Sequence, residues 1–116
     1  MSNPSKQQGT TFESWLVGTF RANGLNSRRL AEGGSHDLGD LEVEDWIIEA
    51  KARSNLNLHQ ALHKAREKAP QRRVAVVHKR LTRKEGNQRR TPDGEPIVVA
   101  MTLDDFVGLL MREAYE

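Results

Sequence analysis

Asp40, Glu49 and Lys51 have the types and spacing of residues that could do chemistry. Glu49 and Lys51 lie two apart in the run Trp46-Ile47-Ile48-Glu49-Ala50-Lys51-Ala52, and the strand period of two puts their side chains on one face. The plain reading of such a couple is a surface ion pair, worth roughly 0–1 kcal/mol. The run, however, is apolar on both faces, with Trp46, Ile48 and Ala50 on one and Ile47 beside Glu49 and Lys51 on the other. That is the pattern of a central strand, where a charge needs a better reason than solvation. With Asp40 upstream and Glu13 on an earlier helix, the set becomes two or three carboxylates beside a lysine. Metal-dependent phosphodiester hydrolysis uses such a set. Hard carboxylate oxygens hold Mg²⁺, the ion lowers the pKa of an attacking water and neutralises phosphate charge, and an ammonium steadies the hydroxide and the non-bridging oxygens.

The elements that must position these residues follow from pattern and punctuation. Apolar positions 12, 15, 16 and 20 have the spacing of a helix face. Thr10 with Glu13 has the form of a capping box that starts the helix, and Asn23-Gly24 ends it. Residues 1–8 read as a disordered lead-in and 9–116 as one domain. Residues 26–40 read as an irregular, Gly-rich loop. Strands are expected over 41–43 and 46–52, joined by a tight turn at Glu44-Asp45. An amphipathic helix over 55–69 follows, with Leu58, Leu62 and Ala65 inward and Pro70 as its stop. Further strands are expected over 72–79 and 96–101, separated by a basic excursion. The last helix is capped by Thr102, with Asp104 and Asp105 in its first turn. The order is α-β-β-α-β-β-α: an α/β chain with a hairpin, a right-handed parallel crossover and a small mixed β-sheet flanked by helices.

Composition narrows the partners. The chain has 116 residues, 36% of them hydrophobic, and no cysteine, which excludes disulfides and thiolate metal sites. The polar start and the lack of a membrane-length apolar run lead us to expect a soluble, cytoplasmic protein with no membrane partner. Net charge is only +2, but the charges are segregated. Residues 37–49 hold six acids and no Lys or Arg, whereas residues 61–90 hold eleven Lys or Arg against Glu67 and Glu85. A basic block of this kind suits a polyanion such as DNA. Arg28 and Arg29 before the site, and Arg83, Lys84, Arg89 and Arg90 on the excursion, are candidates for phosphate contact. Lys64 is a further candidate, although Lys64, Arg66 and Lys68 also fit the wet face of a helix. His59 and His63 stand at i, i+4 without a third zinc ligand, and a solvated or DNA-facing pair is expected.

Asp40, eight residues, then Glu49-Ala50-Lys51 resembles the PD-(D/E)XK nuclease signature. Within that superfamily the chain is most similar to the small archaeal-type and phage-type Holliday junction resolvases, which open on a Gly-x-x-x-Glu helix, here Gly9 to Glu13. The resemblance spans roughly residues 9–110 and implies a restriction-endonuclease-like core. It implies that Asp40 and Glu49 hold Mg²⁺, for which Mn²⁺ can substitute, with help from the backbone carbonyl of Ala50. It further implies that Lys51 orients or activates the water, that Glu13 completes the acidic cluster directly or through water, and that Gln60 is a supporting polar residue. The partners implied are a DNA four-way junction and a second copy of the chain, one active site for each strand cut. Gly39 stands where the family usually has proline, and Asp37 is a rival for the first acid. The alternatives are another nuclease on the same fold (restriction-like, repair or flap) and a nuclease-fold subunit that binds DNA without cutting it.

Overall fold

The computed structural model describes residues 4–31, 37–82, 91–92 and 94–115. Along the chain these form α1 (Pro4–Ala22), β1 (Ser27–Arg29), β2 (Leu41–Val43), β3 (Trp46–Arg53), α2 (Leu58–Lys68), β4 (Arg73–Arg80), β5 (Val98–Ala100) and α3 (Leu103–Tyr115). The five strands make one mixed sheet in the order β1-β2-β3-β4-β5. β3 is therefore central, as its two apolar faces require. It pairs antiparallel with β2 and parallel with β4, Ala50 opposite Val77 and Lys51 opposite His78. β5 closes the far edge antiparallel to β4.

The period of two in β3 divides the core. Trp46, Ile48 and Ala50 join Phe12, Leu16 and Val17 of α1 on one face. Ile47 joins Val74 and Val76 of β4 and Ala65 and Ala69 beneath α2 on the other. Glu49 and Lys51 thus share the α2 face. Asn57 caps α2 by accepting from the Gln60 amide at 3.1 Å, and the helix ends just before Pro70. Thr102 caps α3, its Oγ1 accepting from the Asp105 amide at 3.1 Å. Among the described residues no helix is long and apolar enough to cross a membrane.

Three expectations from sequence need correction. First, β1 lies in what reads as loop, so the order is α-β-β-β-α-β-β-α. Polar contacts hold this strand: the Ser27 hydroxyl donates to the Glu42 carbonyl at 2.8 Å, Arg21 Nε donates to the Ser27 carbonyl at 2.8 Å, and Arg28 stands across from Glu42. Hydrophobic periodicity is blind to such a strand. Second, α1 begins at Pro4 and includes residues read as lead-in. Proline is well suited to a first helical turn, and the helix carries Gly9 in its interior at a cost of roughly 1 kcal/mol. Thr10 is consequently mid-helix, and Glu13 is no capping residue. Third, the buried stripe of α1 runs through Phe12, Glu13, Leu16 and Val17. Trp15 is 52% exposed and stacks on the Phe12 ring at 6.2 Å.

Candidate active site

The ladder between β2 and β3 stops short of the end of β3. Leu41 faces Ile48, and the Asp40 amide donates to the Ile48 carbonyl at 3.1 Å. Beyond this point the Asp40 side chain replaces the missing strand, Oδ2 accepting from the Ala50 amide at 2.8 Å. The carbonyl of Ala50 leaves the strand on the same edge as its amide, so it too is directed to the Asp40 side.

Gly39 makes this approach possible. Its φ is +155°, and a Cβ there would lie 2.6 Å from Ile47 Cγ2 and 3.5 Å from Glu49 Oε1. Proline, fixed near −65°, cannot take that conformation. Gly39→Ala is expected to lower stability by roughly 1–3 kcal/mol, and Gly39→Pro by more, read from urea unfolding midpoints. An unchanged midpoint in Gly39→Ala would show that the strand ends separate freely.

Glu49 is the buried member of the pair, its side chain 5% exposed. Lys51 Nζ stands 3.8 Å from its Oε2. Asp40 is half-buried and lies beside Glu49, close enough to feel its charge and, less strongly, that of Glu13. Burial first, and then the neighbouring Glu49 charge, push the Asp40 carboxyl up to about 7 against the opposing pull of the Ala50 amide. Glu13 is buried on the α1 side, with Arg29 Nη2 3.5 Å from its Oε1.

This repulsion sets a pH dependence. The folded protein keeps a proton on Asp40 that the unfolded chain loses near pH 4, so the contribution of Asp40 to stability is fully present below that pH and is lost as pH rises toward about 7. Asp40→Asn removes the repulsion and can still accept from Ala50. In EDTA at pH 8 it is expected to melt about 5 °C above wild type, the gap narrowing as pH falls below about 7 and closing near pH 4. A variant no more stable than wild type at pH 8 would contradict the raised carboxyl.

Sequence reading missed Lys68. At the end of α2 its Nζ donates to Glu49 Oε1 at 2.9 Å and lies 3.9 Å from Asp37 Oδ2. The hydrogen bond to Glu49 raises its pKa above the usual lysine range. It is not merely part of the wet face: three residues after Ala65 and seven after Ala61, it flanks the buried stripe of the helix, and that spacing was the available signal. Asp37 reaches the cluster through Lys68, while Asp40 is the acid that touches Glu49.

Gln60 and Lys64 line, with Lys51, Arg53 and Lys68, a cavity of about 280 Å³ between the end of β3 and α2. Arg29 is brought to the cluster through Glu13, but Arg28 is directed to Glu42 at 3.3 Å. Much of the basic block is engaged within the chain. Arg72 binds Glu42 at 2.7 Å, Arg73 lies over Trp46, Lys79 over Phe12, and Arg80 pairs with Glu95. His63 pairs with Glu67. Arg83, Lys84, Arg89 and Arg90 lie outside the described residues.

Among the described residues no three His, Asp or Glu side chains converge on one point. Asp40 and Glu49 do meet, and with the Ala50 carbonyl they form an all-oxygen donor set suited to a hard divalent cation. Compared with known proteins, the chain matches no family model and no curated sequence.

Proposed function

We propose that this chain is a Mg²⁺-dependent endodeoxyribonuclease of the PD-(D/E)XK type, with a restriction-endonuclease-like core, acting on four-way DNA junctions as a homodimer. One observation carries the hydrolytic reading. Two carboxyls that repel each other, Asp40 and Glu49, are pressed together at the end of a central strand with Lys51 on the same face as Glu49. An arrangement that costs stability in the ligand-free protein is what a cation site looks like. Asp40, Glu49 and the Ala50 carbonyl would hold the ion, which supplies a water of lowered pKa and a counter-charge for phosphate. Lys51 faces the cavity, where its ammonium orients the nucleophile and stabilises the non-bridging oxygens. Glu13 pairs with Arg29 on the α1 side, and Lys64 and Gln60 line the cavity beside Lys51.

The choice of a junction as substrate rests on the family resemblance. The second copy is supported by α3. Leu103, Phe106, Val107, Leu110 and Met111 form an i, i+3, i+4, i+7, i+8 stripe, and all are exposed, Leu103 by 75% and Met111 by 56%. Such a stripe is an interface pattern.

Labelled four-way junction and matched linear duplex, incubated with Mg²⁺ or with EDTA, test the whole reading. Metal-dependent, symmetrically paired nicks in the junction alone are the expected result. Equal cutting of linear duplex would move the chain to another nuclease class. DNA binding without any cutting would leave a non-catalytic subunit.

A further inference from the structure

The strongest cation at Glu49 is not the motif lysine. Lys51 lies 3.8 Å from Oε2, a separation too long for a hydrogen bond, whereas Lys68 is bonded to Oε1 at 2.9 Å. The two partners differ in freedom. The Glu49 side chain is 5% exposed and held in the central strand, while that of Lys68 is 42% exposed, on the last turn of α2, beside the cavity of about 280 Å³. If another cation takes the carboxylate, Lys68 is the side that can move.

We infer that Lys68 is the resident counter-ion of Glu49: it neutralises the buried carboxylate in the metal-free protein and gives it up when a divalent ion binds. Lys68 acts in this way only if Asp40 and Glu49 hold an ion, as proposed above. The end of α2 suits the task. A helix C-terminus favours an ammonium, Ala65 and Ala69 pack that turn closely on the sheet, and Pro70 fixes where it ends. The lysine is therefore delivered by a rigid element on a flexible stem, and it swings out without disturbing the core. The consequence is selectivity: an ion occupies Glu49 only if it binds strongly enough to outcompete an internal ammonium.

The test is calorimetric titration of Mn²⁺ into the full chain without DNA, for wild type, Lys68→Met, Lys68→Gln and Lys68→Arg. The two neutral variants ensure that a folding failure in one does not decide the matter. Both are expected to bind Mn²⁺ about tenfold more tightly than wild type, the scale of one charge-assisted hydrogen bond, with Lys68→Arg within about threefold. A lysine that merely ties α2 to β3 would lower the melting temperature of the neutral variants and leave Mn²⁺ affinity unchanged or weaker. That result would overturn the inference. Absence of Mn²⁺ binding in every form would overturn both this and the metal-dependent reading. Tighter Mn²⁺ binding in the neutral variants, from a chain that incises no DNA, would uphold the role of Lys68 and overturn the nuclease alone.

Discussion

Lys51→Ala is expected to lower the single-turnover rate of junction incision by about 10³-fold while leaving the protein folded, its melting temperature within about 2 °C of wild type. The two halves of that expectation come from different observations. Stability changes little because Lys51 makes only a loose pair with Glu49 at 3.8 Å and is partly exposed. The carboxylate keeps its stronger partner, Lys68 at 2.9 Å. Activity is expected to collapse because, on the proposed function, Lys51 is the ammonium beside the attacked phosphate, and no other described ammonium stands two residues from Glu49 on the same strand face. Glu49→Ala is expected to reduce incision at least as far and, unlike Lys51→Ala, to abolish Mn²⁺ binding, which would separate the proposed ligand from the residue proposed to work on the water. Both variants should still shift junction in a gel in the presence of EDTA. If Lys51→Ala cut at a rate within tenfold of wild type, Lys51 would be the surface ion pair that its spacing also permits. Lys68 would then be the candidate for its role.

The catalytic candidates were legible in the sequence because they are local. Asp40, Glu49, Ala50 and Lys51 belong to one hairpin, and the period of two fixes which face each occupies, so the structure has only to fold the turn at Glu44-Asp45. Lys68 was not legible in the same way. It is nineteen residues from Glu49, and only the parallel crossover from β3 through α2 to β4 brings the end of the helix back over the strand. The role of Gly39 was likewise hidden, since a φ of +155° against Ile47 is a property of packing. β1 and the first turns of α1 escaped for a different reason. Neither has an apolar period, and polar contacts hold β1. The basic block shows the converse error. Its charge excess is real, yet Lys68, Arg72 and Arg80 are paired with acids and Arg73 and Lys79 lie over aromatic rings. A count of charges is therefore a poor map of the surface that meets a phosphate.

Phe106→Glu combined with Leu110→Glu is expected to convert a dimer into a folded monomer and to uncouple the two incisions at a junction. In the single chain these residues are already 47% and 48% exposed, so replacing them should change the stability of the isolated fold by no more than about 0.5 kcal/mol each. In a dimer that buries the stripe, each apolar side chain is worth roughly 1.5–3 kcal/mol. Losing two, about 3–6 kcal/mol, should weaken association by at least about 10²-fold, before the repulsion of the new carboxylates is counted. Light scattering after gel filtration at 100 µM should give twice the chain mass for wild type and the chain mass for the variant. The candidate carboxylates are on other elements, so if each copy supplies one site, as proposed, the monomer should still nick one strand with Mg²⁺ while losing the paired cut. A wild type that is monomeric at this concentration would remove the second copy from the proposed function. A double variant that unfolds would mean instead that the stripe packs on its own chain more closely than its exposure allows.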